Sequence, residues 1–350
     1  MSFEIVYQLR RFFENLPKEH NGYPLRYFPS PYDPRDYIYT NLIGAAADEP
    51  AVSIDYRPNL PPVFDQEQRG SCVACASIWT IKAYEEIKQG DYPADGLSAA
   101  FLYSLCKQND GMPSEEGTQP KTAMKVLQKY GVCPENTMPY STLTDLPAPL
   151  VPNVSGKALD AAAVFRIETY AQLCSSYDLN RDQVLNAMRQ ALKREGPFMI
   201  ALLVYDNFEP DENNFLPLPE GSVRGGHAVG IVGDLPNRGC LILRNSWGAD
   251  WGDKGYAYLP YEWISRMSNM RWCVLEAWTA TDITLPKLAA HIEITPGMKF
   301  MKVDGKRVAL NQPVILSKVA NPLLPMKAIA EKMGYKVDGD AHKIIISRLN

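Results

Sequence analysis

Three residues of this chain have the types and contexts that catalysis by a thiol nucleophile requires. Cys72 begins a predicted helix, where unpaired backbone N–H groups and the helix dipole stabilise a thiolate. His227 follows two glycines at the start of an apolar segment, which favours a strand that projects the imidazole into a cleft. Asn245 ends another predicted strand, and its side chain is suited to accept the ring N–H of His227. The pattern predicts a nucleophile, its general base and a residue that orients the base.

Two further residues complete the predicted site. Gln66 lies six residues before Cys72, and its amide is expected to form a two-donor oxyanion hole with the Cys72 backbone N–H. One such donor contributes roughly 10²–10³ in turnover. Trp247 follows Asn245 closely and is expected to cover the bond between the histidine and the asparagine, shielding it from water.

The elements that must position these residues divide into a helical part and a strand-rich part. Hydrophobic spacing predicts helices over 2–16, 71–89, Ser98–Lys107, Thr122–Tyr130 and Arg181–Glu195. Apolar segments predict strands at Phe198–Val204, His227–Val232, Cys240–Asn245, Gly255–Leu259 and Cys273–Trp278. Residues 23–60 are rich in Pro, Tyr and Asp, and we expect them to run extended over the surface. This order predicts an α+β domain of two lobes.

A second composition break at 281–296 is interpreted as a linker to a small C-terminal α/β domain at 297–350. Within that domain, Asp304-Gly305 predicts a type I′ turn between two hairpin strands. The predicted elements are the strands Lys299–Val303, Lys306–Leu310, Pro313–Leu316 and Lys343–Ser347 and the helix Leu324–Met333.

Composition excludes several classes of protein. A chain of 350 residues predicts about two domains. Its 36 basic and 40 acidic residues give a net charge of −4, which argues against nucleic-acid binding. No apolar run reaches the ~18 residues of a membrane span. The N-terminus lacks a secretory signal, so the default expectation is cytoplasmic, with non-classical export or a trimmed signal left open. Seven cysteines, an odd number, argue against a disulfide framework, and no cofactor or metal site is predicted.

Three segments in this order resemble the papain-like cysteine peptidases. They are Gln66 with Gly70-Ser71-Cys72, Gly226-His227-Ala228-Val229, and Asn245-Ser246-Trp247-Gly248 with Trp251-Gly252 and Gly255-Tyr256. The resemblance covers about residues 57–280. It implies a helical lobe, a β-barrel-like lobe, and peptide or protein hydrolysis through a thiolate–imidazolium pair and a thioester. It also implies that substrate contacts Gly70, Ser71, Gly117, Thr118, Gly226 and Trp247.

The chain departs from the family pattern at three positions. Arg69 stands where the family usually has a cysteine, which removes a disulfide that braces the loop before the nucleophile. Val73 replaces an aromatic residue, and Thr118 replaces a glycine that often bonds the substrate backbone. The upstream segment Tyr32-Asp33-Pro34-Arg35-Asp36-Tyr37 makes the mainly bacterial members the closer likeness.

Some of these residues also fit other interpretations. Cys72 and Cys75 form a Cys-x-x-Cys pair, but no thioredoxin-like pattern surrounds it, so Cys75 is interpreted as a small buried residue. His20, His291 and His342 are expected at the surface or in turns. A catalytically silent binding protein and an enzyme that transfers the acyl group to an amine both remain compatible with the sequence.

The two ends of the chain carry separate predictions. Residues 1–56 are interpreted either as a pro-segment that crosses the cleft of a zymogen or as a brace between the lobes. The C-terminal unit resembles the N-terminal domain of copper amine oxidases, although its residues offer no copper site. It is interpreted as a non-catalytic stalk-like module that binds a protein or a cell-wall polymer.

Overall fold

A computed structural model of the chain describes residues 11–43, 52–178, 180–268, 271–282, 291–294, 300–303, 306–309, 335–339 and 344–348. The chain divides into two compact units, Met1–Ile283 and Thr284–Asn350. In the described part of the chain, no helix is long and apolar enough to span a bilayer.

The first unit contains a long buried helix that begins at Cys72. It is α-helical over Cys72–Ala76, widens to a π-helix over Ser77–Lys82, and continues as an α-helix over Ala83–Gln89. Gly90 ends it in the left-handed conformation (φ +85°), as predicted from the sequence. Other helices of this unit are 11–14, Tyr39–Ile43, Ala99–Asn109, Pro120–Lys129, Ser141–Thr144, Gly156–Ala162, Val184–Arg194 and Glu262–Ser265, with 3₁₀ turns at Arg57–Asn59, Glu135–Thr137 and Pro236–Arg238.

An antiparallel sheet of seven strands forms the other lobe. The order along its main path is Ile167–Cys174, Val274–Asp282, Phe198–Tyr205, Val223–Leu235, Cys240–Arg244 and Tyr256–Pro260, and Ile54–Asp55 pairs with Val223–Leu235. Every residue of the central strand Phe198–Tyr205 is buried, which agrees with its unbroken apolar sequence. Among the described residues, no pairing joins the two end strands into a closed barrel. Short two-stranded pairs form at Glu19–His20 with Tyr23–Pro24 and at Met267–Ser268 with Arg271–Trp272.

The predicted helices and strands of the two lobes are confirmed, with shifted ends. The helix predicted to start at Arg181 starts at Val184, and the Arg181 guanidinium bonds the carbonyls of Ser175, Val274 and Leu275. Strand Ile167–Cys174 and helix Gly156–Ala162 are not predicted from the sequence. Residues 2–10 of the predicted helix 2–16 lie outside the described residues, and 11–14 are helical.

Residues 23–60 differ most from the expectation of a surface segment. Leu25, Tyr27 and Phe28 are buried, with 1–8% of their surface exposed, because this part of the chain lies in the groove between the two lobes. Farther on, the N–H of Gln172 donates to the carbonyl of Tyr37 (2.8 Å), which fixes the chain against the edge of the sheet.

The described part of the second unit is an antiparallel sheet. Its strand order is Lys306–Ala309, Phe300–Val303, His291–Ile294, Ile344–Arg348 and Tyr335–Gly339. The two predicted hairpin strands pair with each other, and the last predicted strand is present. The strand His291–Ile294 lies within the range assigned to a linker, because its backbone pairs on both sides with other strands. The turn at 304–305, strand 313–316 and helix 324–333 lie outside the described residues.

Candidate active site

Cys72 begins the long buried helix and faces the sheet lobe. Backbone N–H groups of Ala228, Arg26, Val73 and Cys72 itself favour the thiolate form of its side chain, which is fully buried. Ala228 is the residue that follows His227. Burial raises the pKa of the thiol to about 11, and the four N–H groups only partly offset that rise.

His227 lies on the strand Val223–Leu235, and its ring is oriented by Asn245. The ring Nε2 is 2.8 Å from Asn245 Oδ1, and the same oxygen accepts the backbone N–H of Ser246 (2.8 Å). Because Oδ1 can only accept, Nε2 carries the proton and Nδ1 is the unprotonated nitrogen. Nδ1 is buried and has no hydrogen-bond partner among the described residues, so its lone pair remains available as a base.

Burial has opposite effects on the thiol and the imidazole. It lowers the pKa of His227 to about 4, although the bond to Asn245 favours the charged ring. Together with the raised pKa of Cys72, this favours a neutral thiol and a neutral imidazole. The thiolate–imidazolium pair expected at a helix N-terminus is therefore disfavoured in this covered arrangement, because desolvation outweighs the helix N-terminus.

Gln66 is buried beside Cys72, and its amide orientation is fixed. Its Oε1 accepts the hydroxyl proton of Ser246 (2.7 Å), so its Nε2 must be the atom that faces the groove. Nε2 donates to the carbonyl of Arg69 (2.9 Å) and to the carbonyl of Pro24 (3.4 Å). The amide N–H therefore points to where a carbonyl oxygen lies in the groove, the geometry expected of an oxyanion donor.

Trp247 covers the bond between His227 and Asn245, as the sequence predicts. Its ring stacks on the imidazole with centroids 4.8 Å apart and on the ring of Tyr23 with centroids 4.9 Å apart. Only 2% of its surface is exposed. The indole therefore keeps water from the histidine–asparagine bond.

The remaining predicted substrate-binding residues line the groove, with one exception. Gly226 and Thr118 pair with the backbone of residues 26–27 from opposite walls. Gly117 has φ +102°, and a Cβ there would lie 1.9 Å from a backbone oxygen, so only glycine fits. Ser71 is the exception: its hydroxyl is buried against Tyr140 Oη (2.6 Å) and is not directed to the groove.

Arg69 braces the loop where the family pattern has a disulfide. Its guanidinium donates to the carbonyls of Leu143 (3.0 Å), Leu146 (2.6 Å) and Leu150 (2.7 Å). All seven cysteines are free. The absence of the disulfide is visible in the sequence. The bonds that Arg69 makes in its place are not, since residues 143–150 are distant from Arg69 in sequence.

Two predictions about other residues have different outcomes. Cys75 is a small buried residue 3.4 Å from the Ser71 hydroxyl, as expected. His20 is buried rather than exposed, which corrects the prediction of a surface residue: its Nε2 lies 3.2 Å from a carboxylate oxygen of Glu209 and its ring lies against Trp247. Within the described ranges, no cluster of His, Cys, Asp and Glu is arranged to hold a metal ion.

Comparison with known proteins agrees with this geometry. Residues 51–275 match the papain family cysteine protease, and residues 252–347 match the copper amine oxidase N-terminal domain. The chain is 28% identical over 221 residues to an uncharacterized peptidase C1-like protein of Acanthamoeba polyphaga mimivirus, covering 61% of this chain and 69% of that protein. It is 30% identical over 216 residues to a cathepsin B-like protein of Giardia intestinalis, covering 60% and 68%.

A solved structure has a similar fold. Xylellain, a cysteine protease from Xylella fastidiosa, superimposes with a TM-score of 0.60 at 27% identity and covers 74% of this chain and 96% of its own. The fold and site define an α+β protein of the papain-like class. The chain belongs to the papain family of cysteine proteases and is a peptide-bond hydrolase.

Proposed function

We propose that the protein hydrolyses peptide bonds with Cys72 as the nucleophile and His227 as the general base. Nδ1 of His227 takes the thiol proton, and the sulfur attacks the substrate carbonyl carbon. The same nitrogen then protonates the leaving amine, which leaves a thioester on Cys72. Water, deprotonated by His227, attacks the thioester, releases the acid product and restores the thiol.

The observation that carries this proposal is the bond between His227 Nε2 and Asn245 Oδ1, which leaves Nδ1 without a partner. Asn245 holds the tautomer and tilt of the ring through both half-reactions. Gln66 Nε2 and the Cys72 N–H are proposed as the two donors to the oxyanion, because the Gln66 amide is oriented by Ser246. A peptidase assay with Cys72→Ala and Cys75→Ala tests the proposal.

We further propose that the enzyme is made latent by residues 18–28, called here the cleft segment. The N–H groups of Tyr27 and Phe28 donate to the carbonyls of Gly226 (3.2 Å) and Thr118 (3.1 Å), which ties the segment to both walls of the groove. The N–H of Lys18 bonds the carbonyl of Arg224 (2.7 Å). With the segment in this position, Cys72 and His227 have no exposed surface, so a substrate has no access to them.

The side chains of the segment strengthen this attachment. The Tyr27 hydroxyl donates to Oε1 of Glu276 (2.5 Å), and just beyond the segment the backbone N–H of Ser30 donates to the same oxygen (2.9 Å). Trp278 Nε1 donates to the other oxygen of this buried carboxylate (2.6 Å). Tyr23 adds the stack on Trp247. Release of the segment must therefore break a buried charge-assisted network.

Residues beyond the cleft segment favour a bracing role as well. Lys121 Nζ lies 2.6 Å from Asp36, and the Tyr39 hydroxyl donates to Glu195 (3.1 Å). These contacts lie outside the groove and precede the proposed cleavage sites at residues 40–57. A cleaved segment therefore stays attached through them, and the groove opens only when the whole segment dissociates. Trimming of wild-type protein near residues 40–57 on reduction or mild acidification, absent from Cys72→Ala, is the expected sign of latency.

The C-terminal unit is proposed to be a non-catalytic module that binds a protein or a cell-wall polymer. The match to the copper amine oxidase N-terminal domain supports a domain of this kind. Co-sedimentation of the full chain with purified cell walls, compared with an equal concentration of serum albumin, tests the polymer. Equal recovery of the two proteins in the pellet would contradict polymer binding.

A further inference from the structure

Arg26 is the residue of the cleft segment that lies beside Cys72. Its backbone N–H is one of those that favour the Cys72 thiolate, and its side-chain stem lies on Gly70, where an added Cβ would be 2.4 Å from Arg26 Cγ. Its carbonyl oxygen lies so close to Gly117 that no side chain fits there. The segment thus fills a side-chain pocket bounded by Gly70 and Gly117, next to the reacting sulfur.

Glu116 forms the charged end of that pocket. Its Oε2 is 3.4 Å from Arg26 Nε, and its side chain is 11% exposed. Its other oxygen accepts the N–H of Gly70 (2.8 Å) and lies 3.6 Å from Nε of Arg69. One carboxylate oxygen is therefore held by resident groups, and the other faces the guanidinium of the segment.

We propose that Glu116 is a specificity-determining residue that selects a basic substrate side chain at the position over Cys72. This inference rests on the proposed peptidase function, because it names a subsite of the same groove. When the segment leaves, Oε2 loses Arg26 while Oε1 keeps its bond to Gly70. A substrate arginine or lysine with its stem on Gly70 restores the ion pair.

The fixed position of Glu116 favours this role over that of a mobile surface charge. The Gly70 N–H and the Arg69 guanidinium hold the carboxylate before substrate arrives, so little side-chain entropy is lost on binding. The Arg26 side chain is 31% exposed, so the pocket is partly open to solvent. A partly solvated charge pair of this kind is expected to give roughly two- to fivefold discrimination.

The test compares arginine with citrulline, which has the same shape without the charge. Two peptidyl chloromethyl ketones carry either residue next to the ketone, and the Cys72 sulfur displaces chloride from the methylene carbon. Labelling rates are measured by mass spectrometry on reduced full-length protein. Because either reagent requires the cleft segment to move aside, that equilibrium cancels in the ratio of the two rates.

Wild-type protein is expected to react roughly two to five times faster with the arginine reagent. Glu116→Gln keeps the acceptor for the Gly70 N–H and is expected to bring the ratio close to one. Glu115→Gln removes an exposed charge from the neighbouring residue and is expected to keep the wild-type ratio. An equal ratio in wild-type and Glu116→Gln protein overturns the inference.

A parallel assay separates this inference from the proposed function. The matched fluorogenic peptides with arginine or citrulline before the scissile bond are offered to the same proteins. The predicted labelling ratio without any hydrolysis contradicts the peptidase proposal and leaves the selectivity of Glu116 standing. Hydrolysis without a preference for arginine contradicts only the role of Glu116. A wild-type thiol that neither reagent labels counts against both.

Discussion

The hydroxyl of Tyr27 lies 2.5 Å from a carboxylate oxygen of Glu276, deep between the lobes. Glu276 is fully buried, and burial raises its pKa while the bonds from Tyr27, Trp278 and Ser30 oppose that rise. A segment of the chain thus supplies two of the donors that a buried carboxylate on the enzyme body needs.

Tyr27→Phe is predicted to loosen the cleft segment. The substitution leaves Glu276 short of a donor, and loss of a hydrogen bond to a charged group costs about 1.5–3 kcal/mol. In the Cys72→Ala background, the exchange protection of the Phe28 amide should fall at least tenfold. Tyr32→Phe, on an exposed residue of the same part of the chain, is the control and should leave the protection unchanged.

The cleft segment is predicted to open as the pH falls below about 6.5. His227 has an ordinary pKa near 6.5 and a pKa of about 4 when covered, so its neutral form is required for closure. The neutral ring fully supports closure above pH 6.5. The equilibrium constant for closure then falls progressively down to pH 4 and is lower by more than about tenfold at pH 5.

The measurement for this pH dependence is the protection factor of the Tyr27 and Phe28 amides in Cys72→Ala protein between pH 7.5 and 4.5. Adding His227→Gln removes the group responsible, so the double variant should show little loss of protection at low pH. Equal loss in both proteins would assign the pH dependence to another group.

Arg69→Met is predicted to destabilise the fold of the first unit. The substitution removes the donors to the carbonyls of Leu143, Leu146 and Leu150. The free energy of unfolding is therefore expected to fall by about 2–4 kcal/mol. Urea denaturation measures the loss. Arg194→Met, on an exposed arginine at the end of a helix, should change the free energy by less than about 0.5 kcal/mol.

Gln66→Ala is predicted to lower kcat by roughly 10²-fold with a smaller change in KM, because an oxyanion donor acts mainly in the transition state. Gln68→Ala changes an exposed glutamine of the same loop and serves as the matched control. A Gln66→Ala enzyme with the kcat of wild-type protein would remove the side chain from the oxyanion hole.

The sequence predicts the local parts of this site better than its long-range contacts. Cys72 at a helix start, His227 after two glycines and Trp247 beside Asn245 are each readable from a few neighbouring residues. The buried position of His20 is not, because it depends on a contact with Glu209, 189 residues away. Its polar neighbours in sequence suggest a turn at the surface.

The same limit explains the other differences. The bonds of Arg69 to loop 143–150 and the pairing of strand Ile167–Cys174 with Val274–Asp282 both join distant parts of the chain. That strand mixes polar and apolar residues without strict alternation, so its period gives no clear signal. Burial of the cleft likewise raises the pKa of Cys72 where the helix N-terminus predicts a lowered one, since a helix N-terminus is visible in sequence and burial by a distant segment is not.

The most direct test of the central claim compares wild-type protein with Cys72→Ala and Cys75→Ala after reduction at pH 5–6. Each is offered a peptidyl epoxide and a fluorogenic peptide. Wild-type and Cys75→Ala proteins are predicted to hydrolyse the peptide and to carry one epoxide adduct on Cys72, whereas Cys72→Ala should do neither. Hydrolysis or labelling that persists in Cys72→Ala, or that is lost only in Cys75→Ala, would contradict the assignment of Cys72 as the nucleophile.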